Sequence, residues 1–186
     1  MRLLCFGGSL RKGSLTVAVM RIVAAAVEEA GHDAEVFTVS DLPRLLDPEA
    51  ADATDPTIAK LGALVQWSEC LLVMTPVYGG TPSGAVKNLL DTLHLFKRGE
   101  IGPLAGKRVL VGSVGGGAIA GHYEPQPTAN YALEIACTNL GAWVSPRHLE
   151  LSELAFDATG RLVDPYSIDA VKRAIAEILA KETVPV

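Results

Sequence analysis

The residues best suited to chemistry in this sequence fall in three glycine-rich breaks, each following an apolar run. The first is GGSLRKGS, residues 7–14. Ser14 can cap a helix that begins at the next residue, and the N–H groups of Gly13, Ser14 and Leu15 then lie at the positive end of its dipole. The Ser9 and Ser14 hydroxyls and the Arg11 guanidinium add donors that suit a phosphate monoester, with Lys12 beside them. A capped surface turn with solvated basic residues accounts for the same residue types. Gly8 to Gly13 also spells GxxxxG, but Ser14 and Leu15 stand where a triphosphate-binding loop requires Lys and then Ser or Thr.

The second break, TPVYGGTPSGAVKNLLDTL, spans residues 75–93. Pro76 ends a strand, Gly79 and Gly80 allow close approach of backbone to a flat ligand, and Pro82 with Ser83 opens the next helix. Tyr78 at the tip can cover a planar group while its hydroxyl stays in water. The third break, GSVGGGAIAGH at 112–122, mimics a dinucleotide fingerprint in Gly115-x-Gly117-x-x-Ala120. That fingerprint requires a helix at once and an acidic residue about 20 positions on. Pro125 and Pro127 delay the helix, and residues 135–141 hold no acid. What remains around Ser113, Gly115, Gly116 and Gly117 is a row of unhindered amides able to face the carbonyls of a heterocycle.

Other reactive residues form no constellation. His32, His94, His122 and His148 have neither triad nor metal spacing, and only His122 lies in one of the breaks, as polar lining. Cys5, Cys70 and Cys137 are far apart and sit in apolar stretches, as small core residues in a reducing compartment do. No metal site is expected.

The elements that must position these loops alternate. Strands are expected at 2–6, 34–39, 70–77, 108–114 and 142–151, and their continuous apolar character suits a parallel sheet covered on both faces. Helices are expected at about 14–30, 57–68, 83–94, 128–139 and 167–181. In the first, Val17, Met20, Ala24 and Val27 recur at helical spacing, and Gly31 stands at the C-terminal cap. Five βα units imply right-handed crossovers and an α/β three-layer sandwich, with a flavodoxin-like five-stranded sheet of order 2-1-3-4-5. In that order the loops after the first, third and fourth strands lie side by side at the switch point, and they are the three breaks. Segments 40–56 and 115–127 read as loops over the sheet edge.

At 186 residues, 49 % hydrophobic and 20 % charged, the composition is that of a globular protein and suits one domain, 1–186. A net charge of −5 argues against a nucleic-acid partner. No run approaches the roughly 20 apolar residues of a membrane span, and the N-terminal run is too short for a signal peptide, so a cytoplasmic protein is expected.

GSLRKGS after the first strand and TPVYGGTPSGAVKNLLD after the third together resemble the NADPH-dependent FMN reductases of the flavodoxin-like superfamily, including those that serve sulfonate monooxygenases. DLP at 41–43 and the GGG loop ahead of NYAL (130–133) extend the resemblance over roughly residues 1–150, while EPQP at 124–127 is longer than the family pattern. The resemblance implies that the FMN phosphate lies on Ser9, Arg11 and Ser14, with Lys12, Gly13 and Leu15 beside it. It sets the isoalloxazine edge on Pro76, Val77, Tyr78 and Gly79, and the pyrimidine end near Ser113 and Gly115 to Gly117.

The implied activity is NAD(P)H-dependent FMN reduction, with NADPH or NADH as donor and a flavin-dependent monooxygenase as a receiver of reduced flavin. Such hydride transfer requires stacked rings and no protein acid or base, so no catalytic side chain is expected and Tyr78 shapes the pocket. Family likeness also implies a homodimer or homotetramer, and the apolar residues on several faces of the 83–94 helix suit burial either between subunits or within one. Two alternatives are an FMN-bound quinone or azo-type reductase and a flavodoxin-like electron carrier. Against the carrier, the phosphate loop is basic and Trp67 and Trp143 fall in regular elements.

Overall fold

A computed structural model describes residues 1–42, 55–116 and 127–180. Among the described residues there are seven strands: β1 (Arg2–Gly7), β2 (Asp33–Thr38), β3 (Cys70–Tyr78), β4 (Thr81–Pro82), β5 (Arg108–Gly115), β6 (Trp143–Val144) and β7 (Leu149–Ser152). The helices are α1 (Leu15–Glu29), α2 (Pro56–Trp67), α3 (Gly84–Thr92), α4 (Pro127–Asn139) and α5 (Pro165–Leu179). The main sheet runs β2-β1-β3-β5-β6, with β7 also on β5, and these pairings are parallel.

The expected order 2-1-3-4-5 holds once β6 and β7 are taken as halves of the fifth strand, but five strands is a correction. Residues 142–151 do not form one strand. β6 pairs with Arg108 and Val109, and β7 pairs with Gly112 to Gly115. Between them stands Pro146, which has no N–H to donate to a ladder. The extra strand, β4, turns back antiparallel on the end of β3, Tyr78 opposite Thr81.

Alternation along the strands sends side chains into two separate cores. Leu3, Cys5, Leu72, Met74 and Leu110 pack under α1 and α5 with Val19, Val23, Val171 and Ile178. Leu4, Phe6, Leu71, Val73, Val109 and Val111 pack under α2, α3 and α4 with Leu61, Leu89, Leu133 and Cys137. Both faces of the central strands are thus dry, which explains their unbroken apolar sequence. On α3, Val86, Leu89 and Leu90, with Leu93 just beyond its end, are all buried in this chain's own core, so the apolar residues of the 83–94 helix belong within one chain.

The helix ends follow from local chemistry. Ser14, Asp55, Ser83 and Asp164 each accept a backbone N–H at the start of α1, α2, α3 and α5, and Pro56 and Pro165 occupy the first helical position. Past α1, Gly31 takes φ +80°; its N–H reaches Glu28 O at 2.9 Å while that of His32 reaches Val27 O at 3.2 Å. This paired closure needs a left-handed residue, and glycine adopts it without steric cost.

Candidate functional site

The crossovers leave β1 and β3 on opposite faces of the sheet, α1 on one and α3 on the other, so the loops after these neighbouring strands part at their carboxyl ends. That is where doubly wound folds bind ligands. The β1 to α1 turn is held tightly at its base. Gly7 takes φ +124°, and a Cβ there would lie 2.1 Å from Met74 O of β3. Gly8 N–H donates to the same Met74 oxygen at 2.9 Å.

Beyond this base the loop opens. Ser9 is buried, and its Oγ accepts from Arg11 N at 3.2 Å. Ser14 Oγ accepts from Val17 N at 3.3 Å and so caps α1, leaving the N–H groups of Leu15 and Thr16 without intrahelical acceptors. Ser9, Arg11, Gly13, Ser14 and Leu15 line one cleft of about 440 Å³. Lys12 is exposed and is not part of that lining.

The β3 loop meets this turn directly. Tyr78 Oη and Ser9 Oγ are 3.3 Å apart, and the Arg11 guanidinium carbon lies 5.2 Å from the centroid of the Tyr78 ring. The loop's shape comes from Thr75, wholly buried, whose Oγ1 donates to Pro76 O at 2.9 Å and accepts from Ser83 N at 3.0 Å. Gly79 and Gly80 take φ +59° and +79° to turn the chain into β4, and a Cβ at Gly79 would meet nothing within 4 Å. Pro76 is buried, Val77 half-buried, and Tyr78 exposed at the rim.

From β5, Ser113 is buried and pairs with Thr75, and a Cβ on Gly115 would come 3.2 Å from Val77 Cγ2. The third loop therefore starts against the second. Gly116 is exposed beside Glu153. Gly117, His122 and residues 124–126 of the EPQP stretch lie outside the described residues, as does most of 40–56, while Pro127 opens α4.

Several residues at this end of the sheet escape sequence reading. Asn130 of α4 is fully buried; its Nδ2 donates to Glu150 Oε1 at 3.2 Å and its Oδ1 has no partner. Arg21, Thr38 and Asp41 line the far side of the cleft. For Arg21 a signal existed, since seven residues past Ser14 is two helical turns along the same face. Two clefts of about 460 and 450 Å³ lie instead between α5 and the β6–β7 segment. Volume alone does not single out the site; convergence of the loops at the switch point does.

The three cysteines are free and buried. Burial pushes the Cys137 thiol up to about 12 and raises those of Cys5 and Cys70 as well, so none has thiolate character. Among the described residues no His/Cys/Asp/Glu group could hold a metal ion, and no helix is long and apolar enough to cross a membrane.

The family model for NADPH-dependent FMN reductases matches residues 1–154. The chain belongs to this family. It is similar to the NADPH-dependent FMN reductase ArsH of Rhizobium meliloti (strain 1021), at 28 % identity over 96 % of this chain and 70 % of that protein. Its likeness to the ArsH of Shigella flexneri is 31 % identity over 96 % of this chain and 68 % of the relative. Among solved structures, the apo form of the NADH:FMN oxidoreductase EMOB superposes with a TM-score of 0.70 at 21 % identity, covering 97 % of this chain and 91 % of that one, a likeness of fold. As an FMN reductase of this family the chain is an NAD(P)H-dependent enzyme whose cofactors are FMN and NADPH.

The geometry fits that cofactor. The turn before α1, with its hydroxyl and guanidinium donors, stands beside Gly79, where a Cβ would meet open space, and Tyr78 touches both Ser9 and Arg11.

Proposed function

We propose that FMN is held by its phosphate on Ser9, Arg11, Ser14 and the first amides of α1, with Lys12 contributing charge from outside the cleft. Its ring then lies along Pro76, Val77, Tyr78 and Gly79, with the pyrimidine edge toward Ser113, Gly115, Gly116 and Gly117. The observation that carries this reading is the contact of Tyr78 with both Ser9 and Arg11, which joins the phosphate loop to the ring loop. Bound flavin supplies the hydride chemistry. The chain's own task is positional: the helix dipole and guanidinium hold the anion, the turn at Gly79 admits a second flat ring, and Thr75 keeps the loop in shape. No side chain is assigned a proton transfer.

The whole chain acts as one such domain in the cytoplasm, and its reduced flavin passes to an acceptor such as a flavin-dependent monooxygenase. A homodimer or homotetramer is favoured by the exposed Tyr131 (56 %) and Ile135 (63 %), which stand one turn apart on α4. Light scattering on the purified chain tests that assembly, and a monomer would remove it. The functional test is an absorbance titration with FMN followed by anaerobic addition of NADPH or NADH. Uptake with bleaching of the flavin band is expected. Flavin that stays unbound, or stays oxidised with both donors, would sink the reading.

A further inference from the structure

Beside the third loop stands a carboxylate that the flavin reading leaves without a task. β7 carries it there: Gly115 pairs with Ser152, so the residue after Ser152 comes up beside the residue after Gly115. A Cβ on Gly116 would lie 2.7 Å from Glu153 Oε2, 3.0 Å from its Cδ and 3.3 Å from Oε1, so the whole carboxylate leans on that glycine. The placement is fixed by the fold. Ser152 is buried and its Oγ accepts from Leu154 N at 3.1 Å, Phe156 N donates to Glu153 O at 3.2 Å, and Ala155 is buried.

This carboxylate is uncommitted. Glu153 is exposed, and among the described residues its side chain has no hydrogen bond or ion pair, whereas Glu150 on the same strand accepts from Asn130 Nδ2 at 3.2 Å. The amides of Gly115 and Gly116 can only donate, so Glu153 adds to this edge a negative charge and a strong acceptor. Such a charge treats the two redox states of a flavin differently. The oxidised ring is neutral and offers an N3–H donor along its pyrimidine edge, while reduction brings negative charge to N1 and the C2 carbonyl of the same edge.

We propose that Glu153 is a specificity residue that sorts flavin by redox state, its carboxylate accepting from the N3–H of oxidised FMN and repelling the anionic reduced form. The Gly115 and Gly116 amides act in the opposite sense by stabilising charge near N1 as it develops. Glu153 limits how tightly the product is then held. The site thereby takes FMN up as a substrate and discharges it as a product. The proposal rests on the FMN reading above and concerns a residue that reading does not use.

The test is anaerobic equilibrium ultrafiltration of the full chain, wild type, Glu153→Gln and Glu153→Ala, with oxidised FMN and with photochemically reduced FMN. Wild type is expected to bind the oxidised form more tightly. Glu153→Gln keeps the side chain's shape and an acceptor oxygen, so it should tighten reduced FMN by about fivefold, the worth of one exposed charge interaction, and change oxidised FMN by less than about twofold. Glu153→Ala should tighten reduced FMN similarly and also weaken oxidised FMN by about threefold, for the lost acceptor. By linkage, the midpoint potential of bound FMN should rise in both variants. A merely structural role would move both redox forms together, so a Glu153→Gln ratio of the two affinities equal to that of wild type overturns the proposal and leaves FMN on its loops. Wild type that holds reduced FMN more tightly than oxidised FMN overturns it as well. Absence of FMN binding by wild type in either state would overturn the flavin reading and the proposal together.

Discussion

Ser9 and Tyr78 are 69 residues apart in sequence and touch hydroxyl to hydroxyl at 3.3 Å, where the turn after β1 meets the turn after β3. Arg11 adds a second link by standing over the same ring. The hydroxyl and the ring can be separated by mutation. Tyr78→Phe removes the contact with Ser9 but keeps the face that Arg11 covers, so FMN affinity should change by less than about threefold. Tyr78→Ala removes both, and with the lost packing and cation–π contact about tenfold weaker binding is expected in a flavin-fluorescence titration.

Arg11→Ala should weaken FMN by at least about tenfold, because a guanidinium to phosphate hydrogen bond is worth about 1.5–3 kcal/mol. Arg11→Lys should recover part of this, having charge without the planar fork. An Arg11→Ala affinity within twofold of wild type would remove the residue from the phosphate site.

The base of the turn tolerates less change than its tip. Gly7→Ala combines φ +124° with a Cβ 2.1 Å from Met74 O, so backbone rather than a flexible side chain must move. A loss of about 3 kcal/mol or more is expected in a urea melt. Gly13→Ala has φ +68° but open space around the new methyl, and about 1–2 kcal/mol is expected. Equal losses at the two positions would contradict the close packing of β1 on β3.

Thiol chemistry should be silent in the folded state. With its thiol pushed up to about 12, Cys137 is thiolate in only about one molecule in 10⁴ at pH 8. An aromatic disulfide reagent should therefore label no cysteine natively and all three in guanidinium. Rapid native labelling of Cys137 would show that α4 does not bury it.

Acid stability has a definite sign. Hydrogen bonds from Ser167 hold the Asp164 carboxyl below its ordinary value of 3.8, and hydrogen bonds from Thr159 and Arg161 do the same for Asp157. A carboxylate with a lowered folded-state pKa stabilises above its unfolded value and loses that contribution as pH falls through the folded one. Asp164→Ala should thus lower the Tm at pH 7, and the gap to wild type should close as the pH falls below 3.8. A gap that persists undiminished at pH 2 would mean the cap does not act through its charge.

Much of this molecule was legible in its sequence because local physics set it. Ser14, Ser83 and Gly31 mark helix ends through hydrogen bonds spanning a few residues, and the apolar runs of β1, β3 and β5 announce strands covered on both faces. The order of those strands then brings the three glycine-rich loops to one end of the sheet. The sequence could not reveal which side chains meet there. The Ser9 to Tyr78 contact, the wholly buried Thr75 and the wall of Arg21, Thr38 and Asp41 depend on β1 lying between β2 and β3. Such contacts join residues distant in the chain, and no local periodicity encodes them. The broken fifth strand is intermediate: Pro146 was visible, but that β6 and β7 pair with separate stretches of β5 was decided by the ladder itself. Sequence alone therefore determined the elements and the loop chemistry, and tertiary structure decided the size and far wall of the cleft, because a cavity is made by surfaces that only packing brings together.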